Sequence, residues 1–224
     1  MSASPEQARD LPRGTSLLSA RVKESGRAVL APVVRLAMRL HLTPNGITVL
    51  GLGITIVASI LVGSGQLLIG AGLLTGGSLL DAVDGALARA QGTGTAFGGF
   101  LDSTLDRSGE AIVYIGIGAW LMSSQPDPIW PMLALMVALA GSFLVSYSHA
   151  RAQGIGLTAD VGLAPRTERL VLLIAGVALA GLGFVPGLIG ALVILAGLTV
   201  ATVIQRIWHV WRLSQVADLD RKEN

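Results

Sequence analysis

Hydrophobic and polar positions in this chain segregate into long blocks, with neither the alternation of strands nor the one-sided stripe of soluble helices. Six apolar blocks run over about 46–63, 66–88, 98–122, 129–149, 170–184 and 186–208. Each is near the roughly 20 residues that a bilayer-spanning helix needs. Turn residues separate them, most tightly at Gly181, Gly183, Pro186 and Gly187, between the last two blocks. The pattern predicts an all-α integral membrane fold with six transmembrane helices.

Ahead of the first block, Leu17 to Leu40 mixes Arg and Lys with Leu, Val and Ala at near-helical spacing. That reads as an amphipathic helix lying on the membrane surface. The expected organisation is a polar tail over 1–14, a juxtamembrane amphipathic helix over 15–43, a six-helix membrane domain over 44–212 and a polar tail over 213–224. No secretory signal is visible before the first apolar block.

Six spans put every Lys and Arg on one side, from Arg9 and Arg13 through Arg89, Arg107 and Arg151 to Arg221 and Lys222. The opposite loops near Ser64, Ser123–Asp127 and Phe184 hold none. By the positive-inside rule that side is cytoplasmic, with both termini inside a multi-pass cell-membrane protein.

Composition agrees. Only 13% of residues are charged and 52% are hydrophobic, whereas soluble domains carry about 25% charged residues. The absence of cysteine removes disulfides and thiolate chemistry. The pI is about 9.5, but the net charge is only +2, and the placement of the cations points to a lipid bilayer, not to nucleic acid.

Among the 14 acidic residues, Asp81, Asp84, Asp102 and Asp106 stand out within the second and third apolar blocks. Carboxylates there are costly and mark a site by default. Asp81 and Asp84 are spaced i, i+3, and Asp102 and Asp106 i, i+4, so each pair shares a helix face. A Gly/Thr-containing connector reverses the chain between them and would bring the two faces together. Four clustered carboxylates call for compensating charge, and oxygen ligands favour Mg²⁺, Mn²⁺ or Ca²⁺. A divalent-cation transporter would also use such acids, but the opposite loops offer only Asp127 to continue a polar path.

Asp81, Asp84, Gly85, Ala88, Arg89, Gly98, Asp102 and Asp106 stand at the spacing D-x2-D-G-x2-A-R-x8-G-x3-D-x3-D. The chain therefore resembles the CDP-alcohol phosphotransferase family (CDP-alcohol phosphatidyltransferase, class I). The resemblance implies transfer of a phosphatidyl group from CDP-diacylglycerol to an alcohol, with release of CMP. It implies two Mg²⁺ or Mn²⁺ ions on Asp81, Asp84, Asp102 and Asp106, with Asp106 also the general base, and a homodimer. Whether Asp106 or the metal activates the acceptor hydroxyl stays open.

For the CDP-lipid, the resemblance points to Asn45, Gly46, Thr48, Gly85, Arg89 and Thr95. Gly85 would let the nucleotide approach the backbone, although helix packing, as at Gly72 and Gly76, also explains a glycine there. Arg89 offers a fork for the diphosphate. Asn45 can instead cap the first membrane helix, and Thr95 can be a turn former.

Ser146, His149, Arg151, Arg166 and Arg206, with Arg169 nearby, gather cations from three helix ends. That favours a phosphorylated polyol over a neutral acceptor. The segments around Ser146–Arg151, Arg166–Arg169 and Gln205–Arg206 look like the bacterial phosphatidylinositol-phosphate synthase branch of the family, which implies inositol phosphate. His149 stands where that branch usually has Lys, a conditional cation in place of a fixed one. Glu168 is a possible partner for one of the arginines. Glycerol 3-phosphate as acceptor and CDP-archaeol as donor remain alternatives.

Overall fold

The computed structural model describes residues 32–92, 94–163 and 165–223, with 216–223 described by backbone alone. All regular structure among them is helical. A short α1 covers 32–39. It is followed by α2 (Pro44–Gly63), α3 (Leu67–Gln91), α4 (Ala96–Ser124), α5 (Ile129–Gly154), α6 (Arg166–Gly181) and α7 (Val185–Glu223). Each of the six apolar blocks falls on one of α2 to α7. Four of these are long and apolar enough to cross a membrane: α2, α3, α5 and the Val185–Gln215 part of α7. The chain is thus a multi-pass membrane protein. In α4 the charges Asp102, Asp106, Arg107 and Glu110 interrupt the apolar run, and α6 has only 16 residues.

Of the expected surface helix, residues 17–31 lie outside the described residues, as does the polar segment 1–14. The part over 32–39 is helical, with Val34 and Ala37 buried and Val33 and Leu36 exposed. It ends before Pro44. His41 takes a positive φ of 52° and the Leu42 N–H reaches back to the Ala37 carbonyl at 3.0 Å, the geometry that closes a helix. At the other end, α7 continues unbroken through the polar segment to Glu223. Its 39 residues extend about 58 Å at the helical rise, roughly twice the hydrocarbon thickness. Along it the Arg212 guanidinium stacks 3.6 Å from the Trp208 ring centre.

The helices pack as two groups. α2 lies chiefly against α3 and α4, and α7 against α5 and α6; α3–α6 and α4–α5 contacts join the groups. The shared core includes Leu74, Val113, Tyr114, Ile117, Leu173 and Leu192. Small residues allow the closest approaches, as is usual where helices meet in a membrane. A Cβ on Gly116 would collide with Ser59, and one on Gly141 with Thr199. Gly72 and Gly76 do not serve this purpose within the chain: a Cβ on either would meet nothing within 4 Å.

Candidate active site

The corner between α3 and α4 sets the acidic site. Gly92 closes α3 in the left-handed conformation (φ 64°), and the Thr95 hydroxyl caps α4 by accepting from the Gly98 N–H at 2.9 Å. The antiparallel helices then bring together one oxygen from each of Asp81, Asp102 and Asp106, all within 4.8 Å of one another. Asp84 stands beside this trio and is buried at 4% exposure. Its Oδ2 accepts from Thr48 Oγ1 on α2 at 2.7 Å. The expected knot of four is therefore three convergent carboxylates and a fourth held by a hydroxyl.

A cation already meets this cluster. Arg166, the first residue of α6, places Nη1 2.6 Å from Asp81 Oδ2 and Nη2 2.7 Å from Asp106 Oδ1. One guanidinium balances only one of the three carboxylate charges, and three hard oxygen donors at this separation fit a divalent cation. One turn along α6, Arg169 is buried and directs Nε to Glu110 Oε1 at 3.2 Å. Glu110, not Glu168, is its carboxylate partner; Glu168 is exposed in the first turn of α6. Below the acids lies a small cavity of about 60 Å³, lined by Thr48, Thr55, Ser78, Asp81, Asp106, Glu110, Arg166 and Arg169 among others.

On the other side of the acids opens a groove of about 630 Å³. Asn45, Thr48, Gly85, Arg89 and Thr95 line it with Asp84, Gly98 and Asp102. Gly46 does not line it, and its N–H is taken by Thr43 Oγ1 at 3.2 Å. Thr43, not Asn45, is the cap of α2, with Pro44 in the first turn, which leaves Asn45 to the groove. Thr95 both caps α4 and lines the groove. Gly85 lies beside Arg89: a Cβ there would sit 3.4 Å from Arg89 Nη1, in ordinary contact.

The acceptor candidates are less concentrated. Only Arg166 touches the acids. Arg206 donates from Nε to the Val161 carbonyl at 2.9 Å and from Nη1 to the Val145 carbonyl, tying α7 to α5 and the 155–165 connector. His149 Nδ1 lies 3.4 Å from the Ala159 carbonyl and 3.6 Å from Asp160 Oδ1. Ser146 Oγ donates to the Ser142 carbonyl within its own helix at 3.1 Å, and Arg151 is exposed. Glu110 was not singled out among the sequence candidates, though a further acid one turn after Asp106 in an apolar block is a readable signal.

Residues 41–209 match the family described as CDP-alcohol phosphatidyltransferase. Among curated proteins, the archaetidylinositol phosphate synthase of Methanothermobacter thermautotrophicus is 39% identical over 197 residues, 85% of this chain and 97% of that one. The phosphatidylinositol phosphate synthase of Corynebacterium glutamicum is 37% identical, covering 83% of this chain and 85% of its own. Among solved structures, the Mycobacterium tuberculosis phosphatidylinositol phosphate synthase PgsA1 with CDP-DAG bound is similar with a TM-score of 0.76 and 34% identity, over 82% of this chain and 94% of that one. The same protein in complex with manganese and citrate gives 0.75 at 34% identity, over 81% and 88%.

Proposed function

As a member of the CDP-alcohol phosphatidyltransferase family, this chain is an enzyme, and from that premise we propose that it transfers a phosphatidyl group from CDP-diacylglycerol to inositol phosphate and releases CMP. The observation that carries the reading is Arg166, whose guanidinium contacts Asp81 and Asp106 at the acidic cluster. A cation beside the reacting centre suits an acceptor that carries its own phosphate. The names of the curated relatives favour inositol phosphate over glycerol 3-phosphate.

In this reading Asn45, Gly85, Arg89 and Thr95 hold the CDP moiety in the groove. Asp81, Asp84, Asp102 and Asp106 would hold two divalent ions, Mg²⁺ or Mn²⁺. When bound, such ions neutralise the diphosphate and stabilise the entering and leaving oxygens. Asp106 takes the proton of the acceptor hydroxyl as its oxygen attacks the phosphatidyl phosphorus and the bond to CMP breaks. Arg166, together with Ser146, His149, Arg151 and Arg206, attracts and orients the acceptor phosphate. The reading includes six spans formed by α2 to α7, the active site and both termini on the cytoplasmic side of the cell membrane, and a homodimer.

The archaetidylinositol relative favours a second donor, CDP-archaeol, for the same chemistry. The test measures CMP release from CDP-diacylglycerol or CDP-archaeol against inositol phosphate, glycerol 3-phosphate, inositol and serine. Turnover with CDP-diacylglycerol and inositol phosphate is expected. Turnover confined to a neutral acceptor would overturn the acceptor assignment, and turnover confined to CDP-archaeol would reassign the donor.

A further inference from the structure

We propose that Thr202 of α7 is a positioning residue for Arg166, holding the 155–165 connector and through it the start of α6. The proposal deepens the reading above and rests on it for the acceptor. Arg166 makes two short contacts at once, Nη1 to Asp81 Oδ2 at 2.6 Å and Nη2 to Asp106 Oδ1 at 2.7 Å. A guanidinium that bridges carboxylates on two helices tolerates little displacement of its backbone, because a shift of about 1 Å breaks one arm. Yet Arg166 is the first residue of α6, and its cap Pro165 gives the helix no side-chain hydrogen bond. Glu110 holds Arg169 one turn farther on. On the other side of Arg166 the anchors lie in the connector.

The connector has no regular secondary structure over 157–162, so the partners of its main-chain groups say what holds it. The Leu163 N–H, three residues before Arg166, donates to Thr202 Oγ1 at 3.2 Å. One turn along α7, Arg206 Nε donates to the Val161 carbonyl at 2.9 Å. From α5, His149 Nδ1 lies 3.4 Å from the Ala159 carbonyl. The backbone between these points is pressed onto α7: a Cβ on Gly162 would lie 2.6 Å from Thr202 Cγ2. Ala159 and Thr202 are both buried. Thr202 Oγ1 also donates to the Leu198 carbonyl at 2.7 Å, which turns its lone pairs away from its own helix. A threonine that only filled α7 would direct its hydroxyl to that helix alone. This one makes a second bond that leaves the helix, and of the contacts from α5 and α7 it is the nearest in sequence to Arg166.

The test uses the full-length protein in lipid nanodiscs, with CDP-diacylglycerol as donor and inositol 1-phosphate as acceptor. Thr202→Val keeps the shape and removes the acceptor of the Leu163 N–H. The acceptor KM is expected to rise about 3- to 10-fold while the donor KM moves less than about twofold. Calorimetric titration with inositol 1-phosphate should weaken in parallel. Thr202→Ser restores the hydroxyl and should return both readings to wild type. A double-mutant cycle shows whether the effect passes through Arg166: in an Arg166→Gln background, Thr202→Val should raise the acceptor KM no further. An unchanged acceptor KM, an equal rise in both KM values, no rescue by Ser, or an undiminished effect in the Arg166→Gln background overturns the proposal. If Thr202→Val does not fold, as read by its thermal midpoint, Gly162→Ala, whose methyl pushes the connector off Thr202, decides by the same KM split and the same cycle. A wild-type protein that turns over no phosphorylated acceptor overturns the functional reading, and this proposal with it, before any variant is made.

Discussion

Glu110 and Arg169 meet at 3.2 Å with 8% and 3% of their side chains exposed, a charge pair sealed between α4 and α6 directly behind the acidic cluster. Removing one carboxylate from such a buried pair costs about 3–5 kcal/mol. Glu110→Ala should therefore lower the thermal midpoint of the purified protein sharply, and Glu110→Asp should recover part of the loss. A midpoint within the scatter of wild type would show that the pair contributes little to stability.

Arg166 predicts a trade. Its guanidinium lies on Asp81 and Asp106, two of the carboxylates proposed to hold a divalent ion, so Arg166→Gln should tighten Mn²⁺ binding by roughly fivefold while weakening the acceptor. Mn²⁺ paramagnetic resonance titration measures the first effect and acceptor KM the second. Unaltered Mn²⁺ affinity would mean that the contact with the acids is not in competition with the ion.

Removal of metal should abolish CMP release, with Mg²⁺ or Mn²⁺ restoring it after EDTA. Asp102→Asn or Asp106→Asn is expected to reduce kcat by at least about 100-fold, the scale of losing one electrostatic element of a transition state. CMP release that persists in EDTA would contradict the metal-centred reading.

Thr48 and Asp84 test the fourth carboxylate. Thr48→Val removes the 2.7 Å donor from a buried acid and should cost about 1–3 kcal/mol of stability, with Thr48→Ser close to wild type. Equal thermal midpoints for Val and Ser would assign the bond no structural weight.

Gly85 tests the groove. Gly85→Ala places a methyl in ordinary contact with Arg89 Nη1 at 3.4 Å and should be mild. Gly85→Val adds bulk that must push the guanidinium aside, and should raise the CDP-diacylglycerol KM while sparing the acceptor KM. A change in the acceptor KM alone would detach Gly85 from the donor.

The apolar blocks made the helices legible because hydrophobic length is a one-dimensional signal: α2 and α5 begin or end within a few residues of their blocks. The acids were legible because carboxylates in such blocks are rare. What the sequence concealed was pairing in three dimensions. Nothing in the spacing of Arg166 and Asp81, 85 positions apart, shows that they touch, and Glu168, expected beside one of the arginines, is not the carboxylate partner of Arg169, which is Glu110. The alternative of an Asn45 cap gives way for a local reason, since Thr43 two residues earlier fills that role. The helical course of 213–223 escaped notice because polarity alone does not separate a tail from an exposed helix.

The arrangement of the helices as two groups has a further consequence. The groove that would hold the nucleotide is built from α2, α3 and α4, while the candidates for choosing the alcohol sit on α5, α6 and α7. Under that reading changes on α5 and α7 leave the acids of α3 and α4 untouched, whereas Arg166 on α6 is a candidate through which the two halves meet.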